Sequence, residues 1–180
     1  LTPRVAMQAN GQLMVVQMVP SGFSFNISGQ LFAADGSPLN TAFTVNDVDP
    51  SGVVAAVVPD IVVDANGKYS VVWYSYNLNN DSIDAYLRQF DASGVAIGAP
   101  QQLNTVTGNG SDFWIRISVA QDNSLVATWV NEATSTGVLV QRIDATGKLV
   151  GANAPIGSTG FTQNFPVVAA ADDGAFTVAW

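Results

Sequence analysis

Cysteine and histidine are both absent from the 180 residues. Without cysteine there are no disulfides, zinc–thiolate sites or thiol nucleophiles. Without histidine the usual general base and the commonest metal ligand are missing. Glutamate occurs once, at Glu132, against 13 aspartates. A helical surface would draw on Glu and Lys, so the acid here is turn acid. Only six residues are basic and the net charge is −8, which argues against nucleic-acid binding by phosphate neutralisation. No apolar run approaches the roughly 20 residues of a membrane helix, and no signal peptide is visible. What is present is 48% apolar and only 11% charged. That balance suits a packed β protein with one sizeable core and argues against disorder.

The organising stretch runs from Pro59 to Trp73, PDIVVDANGKYSVVW. It reads as strand, tight turn, strand, with Asn66-Gly67 as the hairpin signal. The unit recurs at Pro3–Gln17, Ile115–Trp129 and Pro166–Trp180. Its turn position holds Gly11, Gly67, Asn123 and Gly174, residue types that tolerate positive φ. Its closing position holds Gln17, Trp73, Trp129 and Trp180, spaced 56, 56 and 51 residues apart. A second strand–turn–strand unit lies between, at Ile27–Phe43, Ala85–Leu103 and Val138–Ile156, with Asp35-Gly36, Asp91…Gly94 and Asp144…Gly147 as turns. Asp early and Gly late is ordinary turn chemistry.

Four strands, A to D, recurring with a period near 50 residues predict an all-β chain, a β-propeller of four-stranded antiparallel blades. The repeats run at about 1–56, 57–112, 113–163 and, in part, 164–180: three full blades and one A–B hairpin. Strand A of the second repeat is apolar on both faces (Ile61, Val62, Val63), as a blade between two neighbours requires. The segment Asn46–Val58 is longer than its counterparts and is expected to add a short strand. The chain opens inside a repeat and ends on a strand residue, so it reads as an excerpt of something longer.

In such a meander the A–B and C–D turns share one end of every blade, and the variable connections Pro20–Ser24, Ser75–Ile83 and Asn131–Gly137 share the other. Binding is expected at that loop end. Arg4, Asp60 and Arg116 are read there as the starts of strand A, facing the channel. They suit either an inter-blade ion ring or, with Tyr76 as a stacking surface, a ligand site. The three Trp residues read first as wedges between blades and only second as sugar-stacking rings. Asn77, Asn79, Asn80, Asp81 and Asp84 crowd one loop with oxygen atoms; calcium would suit Asn80, Asp81 and Asp84, although the spacing matches no EF-hand. No other cofactor is expected. For catalysis, Asp60 and Asp112 are the candidate carboxylates, with nothing in the spacing to bring them together; Tyr74 and Tyr76 beside Asp81 are a second set. The turns miss the sialidase-type Asp box, whose aromatic follows its glycine more closely.

The pattern carried by Pro59, Gly67, Trp73, Gln89, Phe90, Asp91 and Gly94, and again by Ile143, Asp144 and Gly147, resembles blade repeats of large secreted and surface proteins of bacteria. The resemblance implies a propeller in an adhesin-like, extracellular parent. Gln17 departs from it where Trp is expected, and no calcium-binding nonapeptide appears. The reading taken from all this is a non-enzymatic binding module for a glycan or surface ligand. An architectural repeat, packing on further repeats of the same or a neighbouring chain, is the alternative. A propeller hydrolase or lyase acting on polysaccharide ranks third.

Overall fold

The computed structural model describes residues 3–22, 24–46, 54–77, 82–104, 112–131, 137–156 and 165–180. Among them are fourteen strands and no helix. The first blade comprises β1 (Arg4–Met7), β2 (Leu13–Ser21), β3 (Ser24–Phe32) and β4 (Phe43–Thr44). The second comprises β5 (Val54–Val63), β6 (Tyr69–Asn77), β7 (Ser82–Phe90) and β8 (Ala96–Gln102). The third comprises β9 (Asp112–Val119), β10 (Leu125–Asn131), β11 (Gly137–Ile143) and β12 (Leu149–Pro155). The hairpin β13 (Val167–Ala170) and β14 (Phe176–Ala179) follows. Each sheet runs in chain order with antiparallel neighbours, so every blade is an up-and-down meander.

The tight turns are built alike. In each A–B turn the fourth residue donates its N–H to the first carbonyl and the fifth carbonyl accepts from the first N–H, as in Gly67 N to Asp64 O at 3.0 Å and Asp64 N to Lys68 O at 3.0 Å. The geometry needs a left-handed residue at the fourth place. Gly11, Gly67, Asn123 and Gly174 supply it, with φ of 87°, 81°, 66° and 79°. The C–D turns repeat this at Gly36, Gly94 and Gly147.

Blades pack face to face. Val71 and Trp73 of β6 join Met14, Val16, Ile27 and Leu31 in one core between the first two blades. Val72, pointing the other way, joins Ile115, Leu125, Ala127 and Trp129 in a second core between the second and third. Strand alternation thus buries both faces of β6. Trp73 stacks on Tyr86 at 5.9 Å and is 2% exposed, while Trp129 is fully buried. Trp180 differs: it is 53% exposed, because no third and fourth strand of that sheet and no further face covers it among the described residues.

Strand limits also depart from expectation. β5 and β9 begin well before Asp60 and Arg116, which therefore sit in mid-strand and not at strand starts. A bulge allows the extension. Register slips between Val57 and Asp60, opposite Trp73, and again opposite Trp129. The extra residue at each bulge is left-handed without being glycine: Val58 at φ 49° and Trp114 at φ 55°. Phe165, in the matching place before β13, has φ 53°. The described part of the long segment, residues 54–58, belongs to β5 and forms no separate strand. In Pro20–Ser24, Pro20 and Ser21 end β2 and Ser24 opens β3, with Ser21 paired to Ser24.

Candidate functional site

Arg4, Asp60 and Arg116 form one row across three blades. They occupy equivalent register positions, opposite Val16, Val72 and Thr128. The Arg4 Nε lies 3.6 Å from Asp60 Oδ1, and the Ile117 N–H donates to Asp60 Oδ2 at 3.2 Å. Burial raises the Asp60 pKa, opposed by that N–H and by the charges of Arg116 and Arg4. Arg116 donates to the Ile115 carbonyl at 2.8 Å. The row ties first strands together, and Asp60 touches all three blades.

Tyr76 lies apart from this row. It pairs with Ala55 and Ile83 near the end of β6, four residues beyond the level of Asp60 and on the order of 13 Å along the strand. Of the calcium candidates, Asn79, Asn80 and Asp81 lie outside the described residues. Asp84, on β7, accepts from Ser82 Oγ at 2.9 Å and from Asn104 Nδ2 at 2.7 Å. Among the described residues no three acidic groups gather in a metal-holding arrangement. Asp60 and Asp112 are not a close pair either. The Asp60 carboxylate bonds at Ile117, five steps along β9 from Asp112 and on the order of 15 Å.

Asp112 gains weight on its own. It opens β9, pairs with Asn131 and is 1% exposed. Asn131 Nδ2 donates to Oδ1 at 2.7 Å. Oδ2 has no hydrogen-bond partner among the described residues. The Trp129 indole N–H is near enough to favour the carboxylate but does not reach hydrogen-bonding geometry, and its Nε1 is likewise unpartnered. Burial dominates and pushes the carboxyl up to about 7; the Asp84 charge adds to the rise, while Asn131 and Trp129 oppose it. An orphaned buried carboxyl oxygen of this kind calls for an explanation.

Beside it runs a chain of rings that the sequence reading did not assemble. Phe113 meets Tyr74 edge-on at 5.7 Å, Trp114 follows Phe113 at 5.8 Å, and Phe165 packs on Trp114 at 4.7 Å. The signal was present: Phe165 occupies the place of Trp114, 51 residues on. The opposite end of the blades offers less. A cleft there, lined by Asp122, Arg142, Asp144 and Gly174 among others, has its carboxylates committed to their own turns.

No family model matches the chain, and no curated protein matches it in sequence. The adhesin-like repeat family therefore gains no support. Solved structures share the architecture at low identity. The endo-arabinase of Bacteroides thetaiotaomicron VPI-5482 is similar over 98% of this chain and 68% of its own, with 13% identity and a TM-score of 0.60. A protein of unknown function from Dyadobacter fermentans DSM 18053 is similar over 92% of this chain and 44% of its own, at 11% and 0.61. The exo-β-1,3-galactanase of Phanerochaete chrysosporium, with galactose, is similar over 84% and 36%, at 11% and 0.58. The chain thus spans about two thirds of the first and less than half of the other two. At these identities the likeness establishes the propeller-type fold. It also corrects the leading expectation of a non-enzymatic binding module, since the solved structures sharing this fold are mainly named as glycan-cleaving enzymes.

Proposed function

We propose that the chain belongs to a polysaccharide-active propeller and that Asp112 is its proton-transferring carboxyl. Cleaving a glycosidic bond requires a carboxylic acid that protonates the leaving oxygen. An ordinary Asp is ionised near neutral pH and cannot serve. Asp112 is held near 7 by burial, so it carries a proton over the mildly acidic to neutral range. Its Oδ1 is engaged by Asn131, which leaves Oδ2 to carry that proton. With no acceptor for it among the described residues, no group described there competes for the proton once a substrate oxygen reaches the buried carboxyl. That unpartnered, desolvated oxygen at the loop end is the observation that carries the reading. Asp84, on the neighbouring blade, is the second carboxyl acting on it. Polysaccharide substrates place the work outside the cell, so an extracellular location is part of the same proposal.

The test is reducing-sugar release from linear arabinan, β-1,3-galactan and β-mannan by the chain and by Asp112→Asn. The variant preserves shape but cannot donate an acid proton. The reading expects release from at least one polymer and a loss of about 100-fold or more in the variant. Equal release by both proteins would leave Asp112 as a cross-strand tie to Asn131 and nothing more.

A further inference from the structure

The ring chain Tyr74–Phe113–Trp114–Phe165 adjoins Asp112 and crosses from the second blade through the third to the last hairpin. We infer that it is a stacking platform for the sugar rings of an uncharged glycan. This rests on the reading of the chain as polysaccharide-active and adds the class of substrate.

Three observations carry it. The rings lie at the rim of the core between the second and third blades, with Tyr74 packed against it. Phe165 is 63% exposed, and Tyr74, Phe113 and Trp114 are only partly buried, whereas Trp73 and Trp129 are closed off. A flat aromatic face left open suits the C–H face of a sugar, which needs an apolar surface ringed by polar groups. Next, the backbone presents these rings at a cost. Trp114 and Phe165 both hold a left-handed φ without being glycine, a conformation that costs on the order of 1 kcal/mol or more and that persists where structure imposes it. The bulge at Trp114 and the left-handed Phe165 before β13 bring the two rings to 4.7 Å. Finally, charge selects the occupant. All six basic residues are engaged away from the rings. Arg4 faces Asp60, and Arg116 donates to Ile115 O while its charge acts on Asp60. Arg88 donates to Val45 O. Lys68, Arg142 and Lys148 lie at the turns. The nearby Asp84 charge and the net charge of −8 repel uronate or sulfate groups. An uncharged pentose or hexose polymer meets no such barrier.

Affinity electrophoresis of the chain through gels containing linear arabinan, arabinoxylan, galactomannan, polygalacturonate or alginate tests the platform. At least one of the three uncharged polymers should retard the protein, and neither anionic polymer should. Phe165→Ala and Phe165→Leu should each weaken the retardation roughly tenfold, while Phe165→Tyr keeps it. Phe25→Ala, at an exposed aromatic of the first blade, should change nothing. Retardation of a parent chain that releases no reducing sugar would leave the platform standing while the proposed reaction falls. Retardation by the anionic polymers, retardation by none, or full retardation of Phe165→Ala and Phe165→Leu would overturn the platform. The melting temperature of each Phe165 variant, expected unchanged for so exposed a ring, confirms that a loss reports the ring and not the fold.

Discussion

The two ends of the blades use the same residue types for opposite purposes. At the turn end Asp35 and Asp122 are exposed and Asp91 and Asp144 half-buried, and the Ser or Thr hydroxyl two residues on, with nearby backbone N–H groups, holds each carboxyl below its ordinary value. At the loop end Asp112 is desolvated and held near 7. Left-handed residues at the turns are glycine or asparagine, the types that bear it cheaply; away from the turns, Val58, Trp114 and Phe165 hold it without being either. The turn end is also where blades bond to each other, through Gln8 to Tyr69, Lys68 to the Ala145 carbonyl and Asn123 to the Ala65 N–H. One end minimises local cost and fastens the blades. The other carries a buried carboxyl raised to about 7, open rings and left-handed bulky residues, features that gather where a scaffold does chemistry.

The contrast breaks most visibly in the core that both ends share. Replacing Trp129 by Ala should cost about 3–5 kcal/mol in urea unfolding, since its ring fills the core between the second and third blades. Next in size is the pH response of Asp112. Its pKa is raised on folding, so the protonated form is favoured by the native state. The stabilisation is complete below pH 4, falls as pH rises toward 7, and is gone above the folded value of about 7. The full swing amounts to at most about 4 kcal/mol. In Asp112→Asn this component of the pH dependence should vanish, so the variant gains on the parent as pH rises from 5 to 8. A smaller effect separates two turns of one type. Gly94→Ala puts a methyl 2.8 Å from Leu31 Cδ1, whereas Gly36→Ala meets nothing within 4 Å. Both pay the left-handed strain of roughly 1 kcal/mol, and thermal melts should show Gly94→Ala as the worse by a similar amount. Smallest is Phe165→Ala, which should shift stability by no more than about 0.5 kcal/mol.

Local signals made the fold legible. Asn-Gly and Asp…Gly turns, apolar runs and the recurring Trp specify strands and hairpins over short range, and the period assembled them into blades. Positions that depend on pairing across strands were less so. Asp60 looked like the start of a strand because Pro59 precedes it, but the bulge at Val58 lets β5 continue past the proline. The same bulge separates Tyr76 from Asp60. The ring chain joins residues from three sheets, and only the packing of blades brings Tyr74, Trp114 and Phe165 together. Asp112 was named from the sequence, but its desolvation depends on the neighbouring blade and could not be read from its neighbours in the chain. The preference for a binding module over an enzyme came from the lack of His and Cys; a buried carboxyl can do acid chemistry without either.

The measurement that bears most directly on the account is the pH profile of polysaccharide release by the parent chain and by Asp112→Asn. The account predicts a parent profile whose alkaline limb falls near pH 7, as Asp112 loses its proton, and a variant with no activity above background at any pH between 4 and 9. An active variant with the same alkaline limb would show that Asp112 is not the acid.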